Sequence, residues 1–177
     1  MNEGNELVRI IKPRALPGGI MTVEASEAER AALAKRFNVT AIHALEAEVD
    51  FGEENDAVLV DGTLTATIEQ PCAVTRDSLT YKASAPFSLR FVPAGRMAEY
   101  EEDEEFELSE EDLDEIEYEG ESFDLGEAIA QTLGLTIDPY REGPGADALR
   151  EEVGIETDEE ARPTGSLAEA LAALKKD

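Results

Sequence analysis

The sequence predicts an α+β fold: an antiparallel sheet, bent or barrel-like, with two main helices and a flexible C-terminal arm. Three observations predict it. Residues 39–51, 58–68 and 79–91 alternate apolar and polar side chains, the period of half-buried antiparallel strands. Ser26 and Asp124 each head an apolar run with helical spacing, where an N-cap belongs. Beyond Ile137, turn formers and charges replace large apolar residues. The expected organisation is one α+β domain over 1–137 and an acidic arm over 138–177 that ends in a short helix. A length of 177 residues suits one ordinary core plus extensions.

In chain order, "LVRII" (7–11) reads as a first strand and "KPRALPGG" as a turn-rich connector. The helix of "SEAERAALAKRFN" opens on a capping box, Ser26 with Glu29. Its expected apolar stripe is Ala28, Ala32, Leu33 and Phe37, with Lys35 and Arg36 suiting the C-terminal end of the dipole. The first long strand would bury its odd positions from Val39 to Phe51, His43 among them. The second would bury Val58, Val60, Leu64, Ala66 and Ile68, and the third its odd positions from Leu79 to Phe91. Pro86 on the opposite face marks that third strand as an edge or a bulge.

Residues 99–125 hold sixteen acidic residues and no Lys or Arg, a composition typical of disorder. Alternation argues for strands instead. Phe106 and Leu108 alternate with Glu105 and Glu107, and Ile116 and Tyr118 with Glu115, Glu117 and Glu119. This predicts two strands that bury one face and display carboxylates on the other, with only 99–104 mobile. The following helix has Asp124 as cap, Glu127 three residues on and a Phe123–Ala128 staple. Its inner face is Leu125, Ala128, Ile129, Thr132 and Leu133. A last capping box, Ser166 with Glu169, opens a short helix whose leucine strip is too short to be stable alone.

The formal charge of −27 disfavours general salt-driven binding to nucleic acid and favours basic partners. A single cysteine, Cys72, excludes an internal disulfide and any multi-thiolate metal site within one chain. No secretory pattern opens the sequence and no apolar run reaches the length of a membrane span. These features lead to the expectation of a soluble cytoplasmic protein.

The residues assemble no catalytic constellation. His43, the one histidine, is expected to be a buried neutral imidazole rather than a base. Cys72 has Arg76 four residues on, but nothing completes a nucleophile site, so packing is the default. An EF-hand register from Asp112 puts Glu117 where glycine belongs and Phe123 where glutamate belongs. No phosphate-binding glycine loop, nucleophile elbow or zinc-protease helix is present. Neither a metal nor a cofactor is expected. Arg9, Arg14, Arg30 and Arg36 lie before residue 40 and are candidate contacts for RNA phosphates, although ordinary solvating charge is the default for them.

Taken together, "ASEAERAALAKRFNVTAIHALEAEV", "VDGTLTATIEQPCAVTRDSLTYKASAPFSLRFVP" and "DLGEAIAQTLGLTIDPY" resemble the YceD family over about residues 7–146. Members are known as large ribosomal RNA subunit accumulation proteins. The resemblance implies a role in ribosome biogenesis and no known catalytic activity. It also implies two cysteine pairs that together suit a structural zinc. Here only Cys72 is kept, with Thr75 at the position of its partner. The expected function is non-enzymatic: the acidic face of Glu105, Glu107, Glu115, Glu117 and Glu119 binds a basic ribosomal or assembly protein. The alternative is direct rRNA binding through the four arginines.

Overall fold

The computed structural model describes residues 6–95 and 115–154. These fall into two compact units, 6–71 with 78–139, and 72–77 with 140–154. The first unit runs β1 (Ile10–Ile11), a 3-10 turn (Pro13–Ala15), β2 (Met21–Glu24) and α1 (Glu27–Arg36). It continues through β3 (Ala41–Glu54), β4 (Ala57–Pro71), β5 (Ser78–Pro93), β6 (Glu115–Tyr118), β7 (Phe123–Asp124) and α2 (Leu125–Thr136). The second unit contains α3 (Ala146–Val153).

Strands β2-β3-β4-β5-β6 form one sheet in that order, and β1 pairs with β7 apart from it. All neighbours in the large sheet are antiparallel except β5 and β6. Among the described residues the sheet is open, not barrel-like. Its edge strands, β2 and β6, have four residues each and are not paired with one another. β6, the strand expected around Ile116 and Tyr118, runs parallel to β5, a departure from an all-antiparallel sheet. The other expected acidic strand, around Phe106, and the C-terminal helix lie outside the described residues. Pro86 sits opposite Thr63 of β4, while β6 covers only Arg90–Pro93. Among the described residues the Pro86 stretch therefore has one strand neighbour, as its missing donor requires.

The alternation on β4 holds throughout: Val58, Val60, Leu64, Ala66 and Ile68 are all buried. On β3 it breaks. A register shift lies between Ile42 and Ala44, so Ile42 and Leu45 are buried while His43 and Ala44 face out. The buried imidazole expected at position 43 is thereby corrected: one extra residue in a β-bulge moves the side chain to the opposite face. Strand β2 was not expected either, since only Val23 of its four residues is buried.

Both cap expectations for α1 hold. Ser26 accepts from Glu29 N, and Glu29 accepts from Ser26 N at 2.7 Å. Its buried residues are Leu33 and Ala34, whereas Ala28, counted in the apolar stripe, is exposed. Helix α2 buries Leu125, Ala128, Ile129, Ala130 and Leu133 against a core shared with Leu7, Leu33, Phe91 and Phe123. The rings of Phe91 and Phe123 stack with centroids 4.0 Å apart, a geometry that adds about 1 kcal/mol to their burial. Asp124 caps α2 through Gly126 N, and it also accepts from Arg9 N of the incoming chain at 2.8 Å. Gly126 is required there, because a Cβ would lie 2.4 Å from Leu7 O.

In the second unit, Ala73 N donates to Arg141 O at 3.0 Å and joins the turn to the later segment. Helix α3 stands where no regular structure was expected. The two glycines that read as breakers are its ends, Gly145 at φ 104° and Gly154 at φ 70°. Arg150 holds it to Glu142 and, at 3.2 Å, to Asp147.

Candidate functional site

The acids of β6 divide by alternation. Ile116 and Tyr118 pack against the core, which turns Glu115 and Glu117 to the other face. Glu115 is engaged there, 3.1 Å from Arg90 Nε. Arg90 Nη1 also donates to Glu54 at 2.9 Å, so one guanidinium ties β6 to the end of β3. Glu117 and Glu119 are exposed. Glu105 and Glu107 lie outside the described residues.

A larger acidic surface lies on the outer face of the sheet. Glu24 of β2, Glu46, Glu48 and Asp50 of β3, and Asp61 of β4 are all exposed. The register sets Glu24 directly opposite Glu46 and Asp50 directly opposite Asp61. Like charges so placed repel, at about 0.2–1 kcal/mol per pair. Around them stand Thr63, Thr65 and Ser88, the last donating to Asp61 at 2.6 Å. Sequence reasoning passed over this surface, although its signal was present. Every second residue of "LEAEVD" is an acid, the polar complement of the apolar set that marks the strand.

The four candidate arginines do not form one patch. Arg9 donates to both carboxylate oxygens of Glu29, at 2.7 and 3.1 Å, and to Glu24 O. The Arg9 hydrogen bond, with smaller help from Ser26, holds the Glu29 carboxyl down at about 2. Arg36 is engaged by Glu6 and Glu127. Arg14, on the 3-10 turn, is exposed. Arg30 donates to Ala25 O at 2.6 Å, and no carboxylate among the described residues pairs with it.

His43 Nε2 lies 2.9 Å from Glu69, whose other oxygen accepts from Ser78 Oγ at 2.6 Å. The Ser78 bond, then His43, lowers the Glu69 carboxyl. Cys72 is buried. Its sulfur accepts from Thr75 N and Gly143 N, each at 3.4 Å. The Thr75 hydrogen bonds lead in lowering this thiol to about 7. A four-thiolate zinc site does not fit these residues. Backbone N–H groups meet the sulfur, and no group of three or more His, Cys, Asp or Glu suited to a metal occurs among the described residues. Nor is any helix among them long and apolar enough to cross a membrane.

This architecture defines a mixed α/β protein with an open, mostly antiparallel sheet and an anionic outer face. More specifically, the chain belongs to the YceD family, described as "Large ribosomal RNA subunit accumulation protein YceD", whose profile matches residues 60–176. That match begins in β4 and runs on past α3. Membership associates the chain with accumulation of the large-subunit ribosomal RNA. No curated protein and no solved structure matches it.

Proposed function

We propose that the chain supports large-subunit rRNA accumulation without catalysis, by presenting an acidic surface to a basic ribosomal or assembly protein in the cytoplasm. The observation that carries this reading is the pair of like-charged neighbours, Glu24 with Glu46 and Asp50 with Asp61, kept face to face on exposed strands. A merely soluble surface has no need of that repulsion. A cationic partner turns it into attraction and is steered by the same field. Glu117 and Glu119 extend the anionic display, while Glu115 serves the fold through Arg90.

Immobilised protein incubated with lysate at low and at high salt tests the proposal. Recovery of a basic large-subunit component that is lost at high salt and weakened by Glu46→Gln with Glu48→Gln is expected. Failure to retain any basic ribosomal component at low salt removes it. Direct RNA contact through all four arginines has less support, because the guanidiniums of Arg9 and Arg36 already serve internal carboxylates.

A further inference from the structure

We infer that the groove between α1 and the start of β3 binds the phosphate backbone of single-stranded RNA. Glu27, Arg30, Ala31, Ala34 and Lys35 line one wall, and residues 39–43 the other, around a volume of about 490 Å³. The helical positions follow i, i+3, i+4, i+7, i+8, one continuous face. Ala31 and Ala34 are small enough to leave that face hollow, and Arg30 and Lys35 share its lining. The face runs about 12 Å, the length of three or four stacked nucleotides at roughly 3.4 Å each.

Charge marks this groove. On a chain of net charge −27, carboxylates are abundant, and Arg9, Arg36, Arg90 and Arg150 are each paired with at least one. Arg30 and Lys35 have no carboxylate partner among the described residues, yet they share this hollow. Arg30 Nη1 is held by Ala25 O, and no carboxylate among the described residues takes the other N–H groups. Glu27 opposes them in the lining, and Glu69 stands against His43 beside it.

The β-bulge is the second, independent observation. It takes the single histidine out of the core and sets it at the lip of the same groove. Bulges that re-aim a side chain are concentrated beside functional sites. Glu69 holds the ring through Nε2, and the side chain is 49% exposed, open to stacking by a base. Cations spaced along a groove with a stacking ring match a nucleic-acid strand better than an acidic peptide, which has no bases. A second hollow, with Lys12, Arg14 and Tyr118, is the weaker candidate, because neither the bulge nor the histidine reaches it and Glu121 is in its lining. The inference takes from the proposed function only that ribosomal RNA is within reach.

Fluorescence anisotropy on the full chain tests it, using a labelled single-stranded RNA of about twelve nucleotides at roughly 20 to 200 mM salt. Binding is expected to weaken with salt at a log–log slope of about −1.4, two phosphates' worth for a single strand. Arg30→Ala with Lys35→Ala should lose about tenfold in affinity and bring the slope near zero. Lys35→Gln alone, at an exposed position with no carboxylate partner among the described residues, should weaken binding while leaving an uncharged side chain that the last turn of α1 tolerates. Lys82→Ala on the outer sheet face should change nothing. Equal binding by the double variant, no binding by the wild type at the lowest salt, or tighter binding of an oligo-glutamate of equal length would overturn the inference. Capture of a basic protein by the acidic face should be unaffected in the double variant. Loss of that capture with RNA binding intact counts against the proposed function alone.

Discussion

Arg36, in the last turn of α1, holds both carboxylate oxygens of Glu127, in the first turn of α2, at 2.9 and 2.8 Å. The same guanidinium reaches Glu6 at 2.9 Å and lies 5.4 Å above the ring of Phe37. A cation at one helix's C-terminus thus meets an anion at another's N-terminus, so both dipoles favour the contact. Glu127, expected as a capping-box partner of Asp124, is drawn to Arg36 instead.

Arg36→Ala should destabilise the first unit by about 1 kcal/mol, the upper end for an ion pair open to solvent. Urea unfolding followed by circular dichroism measures it. The loss should shrink at high salt, because the bidentate pair is the larger part of what is removed. A loss that salt leaves unchanged would assign the effect to the Phe37 contact.

The Glu29 carboxyl gives an acid-side prediction. Its folded value, about 2, lies below its unfolded one because Arg9 favours the charged form. The stabilisation is therefore complete above the ordinary carboxylate range and is lost as pH falls toward 2. Side chains 26% and 22% exposed limit it to about 1–2 kcal/mol. Glu29→Gln keeps a capping-box acceptor but loses the charge. It should be less stable than wild type at neutral pH and converge with it near pH 2, as read by urea midpoints across pH.

Gly62 of β4 lies beneath the ring of Phe87 on β5. A Cβ at Gly62 would stand 2.5 Å from Phe87 Cζ and 2.7 Å from Glu48 O. Gly62→Ala should cost about 1–3 kcal/mol by overpacking. Because the backbone oxygen yields less than a ring, Gly62→Ala with Phe87→Leu should recover only part of that loss. Full recovery would show that the ring alone sets the constraint.

These residues also show what the sequence made legible. The buried positions of β4 and the capping box of α1 are properties of short windows, so residue spacing alone reveals both. The His43 bulge could not be read that way, because period-two counting assumes that no residue is inserted, and only pairing with β4 reveals one. Strand β2 escaped because a single buried valine gives no periodicity. Glu115 was legible as an acid on an outward face, but its engagement by Arg90 depends on a parallel pairing across a long connection. The α1–β3 groove has the same cause. Its helical stripe is visible in "EAERAALAK", but the strand that faces it is set by the fold.

The like-charged neighbours on the outer face support the last prediction, which separates function from stability. Glu46→Gln removes the repulsion with Glu24, and Asp50→Asn that with Asp61. Each should raise stability by a few tenths of a kcal/mol, since opposed like charges cost about 0.2–1 kcal/mol. The gain should fade at high salt, where screening already weakens the repulsion. If the face serves a basic partner, Glu46→Gln combined with Asp50→Asn should hold that partner less tightly, chiefly through a slower association rate. Unfolding curves and binding kinetics on one protein preparation measure both. A variant that is more stable and equally fast to bind would leave these acids with solubility as their role. A variant that is more stable and slower to bind would identify the repulsion as the cost of a surface kept for association.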